Sequence, residues 1–305
     1  MGLNRVLPHQ TTDRFLTYTG YETDLIFTQG IDLPGFASFP LLETDQGRAA
    51  LARYYVELMA LGQAAGMRVL LEAPTWLAHA DRGAALGYDA ARLAQRNAQA
   101  IAFLSQLRLH HDPSAIISAN IGPRRDAYAA DAQMSVPQAQ EYHAAQLNTL
   151  AQTPVDLISA YTFSDPIEVI GLIRAANAVY LPVMAAFTVE TNGRLANGMD
   201  LAGAIAQVDD ATDGYAAYYM VNCAHPDHMA LIDFATQPRV RGIVANASRC
   251  SHAELDQATV LDAGDPVEFG QLMAGLLQKA PQLTVLGGCC GTDFRHLRQI
   301  ATCLT

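Results

Sequence analysis

The stretch Ala115-Ile116-Ile117-Ser118-Ala119-Asn120-Ile121, closed by Gly122-Pro123, is largely apolar on both of its alternating faces. A strand with one face in water would alternate apolar and polar residues. A run apolar on both sides suits a parallel sheet covered by helices. Outward from it, similar runs recur at residues 67–73, 155–161, 182–188, 217–222, 240–246 and 283–288, with a first strand near 15–21. The stretches between them have helical spacing. Over residues 47–65, Leu51, Tyr54, Tyr55, Leu58 and Leu61 share a face at steps of three and four. Residues 92–107, 138–151, 166–176 and 266–278 behave alike. About eight strand-then-helix units in a chain of 305 residues predict an α/β fold, a single-domain (β/α)8 TIM barrel over residues 1–305. The rival is an open doubly wound sheet. Against it, no Gly-x-Gly-x-x-Gly loop and no phosphate-binding loop follows any of the runs.

Composition narrows the partners. The formal net charge is −11, and no cluster of lysine or arginine interrupts it. Nucleic acid and anionic membranes, which are held mainly by cationic side chains, are therefore not expected. No run approaches the roughly 18 apolar residues that span a bilayer. The first twenty residues carry Arg5, Asp13 and Arg14 where a signal peptide would have its apolar middle. A cytoplasmic location is the expectation.

The cysteines are Cys223, Cys250, Cys289, Cys290 and Cys303. An odd number in a chain of this kind argues against a disulfide framework. Cys250 and Cys303 read as inert thiols. Cys289 and Cys290 stand between glycine pairs in Thr284-Val285-Leu286-Gly287-Gly288-Cys289-Cys290-Gly291-Thr292, and Cys223 ends the apolar run before Ala224-His225-Pro226. Two neighbouring thiols and one remote thiol can cap a metal on three sides and leave the fourth open, the ligand count of a catalytic zinc site. In a barrel, Cys223 follows the sixth strand and Cys289-Cys290 the eighth. Both then lie at the C-terminal rim, where barrel active sites are built.

Asn222-Cys223 followed by Pro226, then Asn246, then Gly287-Gly288-Cys289-Cys290-Gly291-Thr292, resemble the pattern of the homocysteine S-methyltransferases. Gly122-Pro123 resembles that family's Gly-Pro turn, Thr23-Asp24-Leu25 its Thr-Glu-Leu, and Gly20 one of its early glycines. The resemblance runs over nearly the whole chain. It implies a barrel methyltransferase of the EC 2.1.1 class, serving methionine biosynthesis. It further implies Zn2+ held by Cys223, Cys289 and Cys290, with the thiol of homocysteine as fourth ligand. The implied partners are small molecules: a thiol acceptor and a methyl donor such as S-methylmethionine, S-adenosylmethionine or another onium compound. A free thiol has a pKa of about 8.5 and is mostly protonated at neutral pH; zinc removes that proton. A folate donor acting through cobalamin is not expected, because the chain ends soon after the barrel.

Two stretches depart from the family pattern. Tyr18-Thr19-Gly20-Tyr21-Glu22 stands where Asp-Gly-Gly is usual, and Tyr161, or Ala160 with a one-residue slip, stands where a glutamate receives the amino group of homocysteine. An ammonium in a dry pocket needs an anion or several acceptors. Glu72 at the end of the second strand is a replacement candidate, and Glu190 a weaker one. Gly20, Tyr21, Glu72, Tyr161, Asn222 and Asn246 are the candidate substrate-binding residues. His225 could be a fourth ligand, but that would close the site, and orienting its turn is the favoured role. Trp76, the single tryptophan, could face an onium donor by cation–π attraction or pack on the rim. Two further readings stay open: the same zinc–thiolate chemistry on an acceptor without an amine, and a non-catalytic zinc-binding or redox-sensing protein.

Overall fold

Phe15 pairs in parallel with Arg68 on one side and with Val285 on the other, and this double pairing closes the sheet. The computed structural model describes residues 5–125, 128 and 134–303. Its strands are β1 (Phe15–Leu16), β2 (Arg68–Ala73), β3 (Ile116–Ile121), β4 (Leu157–Phe163), β5 (Val183–Phe187), β6 (Tyr218–Asn222), β7 (Val240–Ala245) and β8 (Val285–Gly288). They form a closed barrel in sequence order, β1 through β8 and back to β1, with every pairing parallel. The runs apolar on both faces are buried on both faces, between the barrel interior and a shell of helices. Among the described residues no helix is long and apolar enough to cross a membrane.

The helices are α1 (Tyr21–Phe27), α2 (Asp45–Ala64), α3 (Ala80–Ala85), α4 (Ala90–His111), α5 (Val136–Leu150), α6 (Pro166–Ala178), α7 (Leu201–Thr212), α8 (Pro226–Met229), α9 (His252–Asp256), α10 (Pro266–Lys279) and α11 (Phe294–Thr302). Their starts follow from local chemistry. Asp89, Asp165, Asp200 and Asp265 each cap a helix by accepting a backbone N–H of the first turn. Proline at the first position of α6 and α10 removes an N–H that would otherwise lack a partner. The five expected helical stretches lie within or nearly within α2, α4, α5, α6 and α10. The sequence reading lacks the longer helices α7 and α11 and the short helices α1, α3, α8 and α9.

The first strand is shorter than expected. Only Phe15 and Leu16 pair as strand, and Tyr21 already begins α1. The ladder continues as single bonds, from the Thr17 N–H to the Leu286 carbonyl and from the Gly288 N–H to the Tyr18 carbonyl, each 2.9 Å. Gly20 then packs against the Cys289 carbonyl and, with φ −67° and ψ 57°, leads out of the sheet into α1.

β4 ends in a bulge. Its register with β5 shifts between Ala160 and Phe163, and Thr162 has a φ of 67°. A β-branched residue in the left-handed region is strained by about 1–3 kcal/mol. Asn222 holds it there. The Thr162 N–H donates to Asn222 Oδ1 at 2.9 Å, and Asn222 Nδ2 donates to Thr162 Oγ1 at 2.8 Å.

Candidate metal centre and its cavity

β7 aligns the two arms that carry the cysteines. The Cys223 N–H donates to the Val244 carbonyl at 2.9 Å, and the Cys289 N–H to the Ala245 carbonyl at 2.7 Å. The Cys289 and Cys223 sulfurs are 3.2 Å apart, the Cys223 and Cys290 sulfurs 3.9 Å, and all three lie within 4.8 Å of one another. Tetrahedral zinc with Zn–S bonds of about 2.3 Å sets its sulfurs about 3.8 Å apart. The donor set and its spacing therefore fit a thiophilic metal. All three are free thiols.

Without a cation, three thiols this close cannot all ionise. Hydrogen bonds from Cys289, then Cys290, hold the Cys223 thiol well below its usual range. The same bonds to Cys223 push the Cys289 and Cys290 thiols well above theirs. Tyr128 Oη adds a donor to Cys223 Sγ at 3.1 Å, and Tyr18 Oη lies 3.9 Å from Cys289 Sγ. A divalent cation is the group that would let all three carry charge together.

The loops around the cysteines are tied to each other. Asn246 Nδ2 donates to the Cys223 carbonyl at 3.0 Å, and the Ala247 N–H to the Cys290 carbonyl at 3.0 Å. Thr292 Oγ1 donates to the Cys289 carbonyl at 2.7 Å and accepts the Gly20 N–H at 3.1 Å. Gly291 has a φ of 79°, a conformation that favours glycine. A Cβ on Gly20 would collide with the Cys289 carbonyl. That obstacle is backbone and cannot swing aside, so Gly20→Ala should destabilise the protein by about 1–3 kcal/mol. It should also weaken metal binding. Thermal melts with and without metal check this, and unchanged melting temperatures would contradict the fit.

Above the sulfurs opens a cavity of about 340 Å3, within the range of small-molecule sites. Trp76, Phe36 and Tyr18 give it aromatic wall, and Glu22, Asp256 and Asp262 give it negative charge. Neither lysine nor arginine lines it among the described residues. Phe27 and Val260, exposed by 50% and 76%, also line it.

Of the candidate substrate residues, Gly20 and Asn246 line this cavity; Tyr21, Glu72, Tyr161 and Asn222 do not. Tyr21 turns to Ser38, with the two hydroxyls 2.6 Å apart. Glu72 is buried in the barrel interior, where Ser159 Oγ donates to Oε1 at 3.0 Å. Burial pushes its carboxyl up to about 8, so at neutral pH it is a neutral acid and no partner for an ammonium. Tyr161 also points inward, fully buried, its hydroxyl 3.9 Å from Met220 Sδ. Because of the bulge, the β4 residue that reaches the cavity is Thr162. Asn222 acts on the site through its clamp on Thr162. Glu190 closes a turn with Arg194 and Gly193.

His225 belongs neither to the group of converging sulfurs nor to the cavity lining. Its Nδ1 accepts the Asp227 N–H at 3.1 Å as the cap of α8, and burial lowers its pKa to about 4. Trp76 does line the cavity, its ring fixed by an Nε1 hydrogen bond to the Tyr161 carbonyl at 3.2 Å. The sequence reading assigned no role to Glu22, Tyr128, Thr162 or His252, which all line the cavity. The His252 and Tyr128 rings stack with centroids 3.7 Å apart. Their alignment depends on loops that are remote in sequence, and the only cue was their place shortly after strand runs.

Fold and site together define a class: a (β/α)8-barrel enzyme with three convergent thiols at its C-terminal rim, beneath a small-molecule cavity. The pattern of the homocysteine S-methyltransferase family matches residues 63–304, and the chain belongs to that family. It is a methyltransferase of the EC 2.1.1 class. No curated protein sequence matches it significantly. Among solved structures it is similar to the Escherichia coli homocysteine methyltransferase MmuM. The metallated form shares 16% identity at a TM-score of 0.72, covering 96% of each chain. The oxidized form shares 18% at 0.73, covering 97% of this chain and 98% of that one. At this identity the likeness establishes the shared barrel.

Proposed function

We propose that the protein transfers a methyl group from an onium donor, of the S-methylmethionine or S-adenosylmethionine class, to the thiol of homocysteine. The observation that carries this reading is the convergence of Cys223, Cys289 and Cys290 at the base of a cavity with no lysine or arginine in its described lining. These three cysteines would hold Zn2+. Bound there, zinc would keep the acceptor sulfur deprotonated at neutral pH. The protein's own residues do the rest. The ties between Asn246, Thr292 and Gly20 hold the three sulfurs in one orientation and leave their cavity side open. The aromatic wall, with the carboxylates of Asp256 and Asp262, favours a cationic donor over an anionic one.

In the transfer, a bond forms between the acceptor sulfur and the methyl carbon as the donor's S–CH3 bond breaks. The bonding pair stays on the donor sulfur, which becomes a neutral thioether, and the thiol proton has already gone to solvent. Holding both reactants at near-attack distance is the main task of the cavity. The test is incubation of the zinc-loaded protein with each donor and homocysteine, with methionine measured by mass spectrometry. Methionine formation that depends on donor and metal is expected. Fully metallated protein that methylates no thiol with either donor would overturn the reading.

A further inference from the structure

The cavity contains a carboxylate whose surroundings supply no counter-ion. Glu22 lies in the first turn of α1 and faces the cavity. Ser38 Oγ donates to its Oε1 at 3.2 Å. Among the described residues no arginine, lysine or histidine forms an ion pair with it, unlike Asp81, Asp227 or Glu268 elsewhere on the molecule. Two more acceptors belong to the same lining. Asn120 and Asn246 face the cavity, and the Oδ1 atom of each is buried without a hydrogen-bond partner. Asn246 is oriented by its Nδ2 bond to the Cys223 carbonyl. A charge and two carbonyl oxygens left in this state are costly, and a cation that donates hydrogen bonds would relieve them.

The position of Glu22 identifies which cation. Its neighbours on both sides are bonded to the cysteine loop: the Gly20 N–H donates to Thr292 Oγ1 at 3.1 Å, and Thr23 Oγ1 accepts the Gly291 N–H at 3.3 Å. Glu22 is therefore anchored beside the sulfurs. An acceptor whose own sulfur sits among those thiols brings nearby groups of the same molecule with it. In an amino-acid thiol the ammonium is only about 5 Å from the sulfur, given carbon–carbon and carbon–nitrogen bonds of about 1.5 Å.

We propose that Glu22 binds the α-ammonium group of an amino-acid thiol and so selects an acceptor that carries an amine. This inference rests on the thiol-methylation reading above and adds the residue that recognises the acceptor. Burial pushes the Glu22 carboxyl up to about 7, so it is only partly ionised at neutral pH when no cation is bound, and an ammonium placed beside it would draw it to the anion.

The test uses the metal-loaded full chain with homocysteine and with 4-mercaptobutyrate, which lacks the amine. Glu22→Gln should raise the KM for homocysteine about 10- to 100-fold, the effect of losing one hydrogen-bonded charge. It should leave kcat, the donor KM and the 4-mercaptobutyrate KM within about threefold, whereas Glu22→Asp should restore part of the homocysteine affinity. A homocysteine KM within twofold of wild type, or a shift confined to the donor KM, overturns the proposal. Wild-type calorimetry gives an arm independent of any variant's folding: homocysteine should bind at least tenfold tighter than 4-mercaptobutyrate, and equal binding overturns the proposal. If the wild-type protein methylates no thiol at all, the underlying reading fails first and this inference falls with it.

Discussion

Cys289→Ser should strip the metal from the protein and abolish methyl transfer together. The three sulfurs form one compact set, and no other group of three histidine, cysteine or carboxylate ligands stands this close among the described residues. A serine hydroxyl at that position would have to ionise from a far higher pKa and is a poor match for a thiophilic metal. The loss in metal affinity should exceed the 10- to 100-fold typical of an outer-shell change. Because metal binds only the folded chain, wild-type protein should also melt at higher temperature with metal than with chelator, and Cys289→Ser should lose that difference. Cys250→Ser provides the control: Cys250 is exposed and lies outside the cluster, so its variant should keep metal, melting temperature and activity. Elemental analysis and melting curves on the three proteins decide the matter. Stoichiometric metal retained in Cys289→Ser would contradict the ligand assignment.

The barrel was legible because its strands are buried on both sides, and that burial writes continuous apolar runs into the chain. Seven of the runs coincide with strands to within a residue or two, and the cysteine pair and its distant partner fall on the same rim as anticipated. What escaped the sequence is side-chain direction near the strand ends. Strict alternation takes no account of the bulge in β4, which leaves Tyr161 inside and brings Thr162 to the cavity. Nor does it reveal that Glu72 faces the barrel interior. Glu22 was overlooked for another reason. An acidic residue in the first turn of a helix ordinarily complements the helix dipole at the surface. Only the packing of α1 against the cysteine loop turns this one inward.

Glu72→Gln should make the protein more stable than wild type at alkaline pH and leave acceptor recognition intact. The Glu72 carboxyl is enclosed by Ser118, Ser159, Tyr161 and Tyr218, with Oε2 buried and lacking a partner. Burial raises its folded pKa to about 8, against 4.5 for an ordinary glutamate. The folded state therefore keeps a proton that the unfolded chain has released between those values. Stability from this group is fully present below pH 4.5 and is lost as pH rises through 8. Between pH 5.5 and 8.5 the loss should be about 3 kcal/mol. Tyr161 and Tyr218 are pushed to still higher pKa and stay neutral across this window, and Glu22 titrates alike in both proteins and cancels in the comparison. Glutamine mimics the neutral acid and can still accept from Ser159, so its profile should lack this slope. Urea unfolding of both metal-loaded proteins at the two pH values measures the difference, and parallel profiles would contradict the assignment. The homocysteine KM of Glu72→Gln should match wild type, opposite to Glu22→Gln, because one carboxyl keeps its proton inside the barrel while the other offers its charge to the cavity.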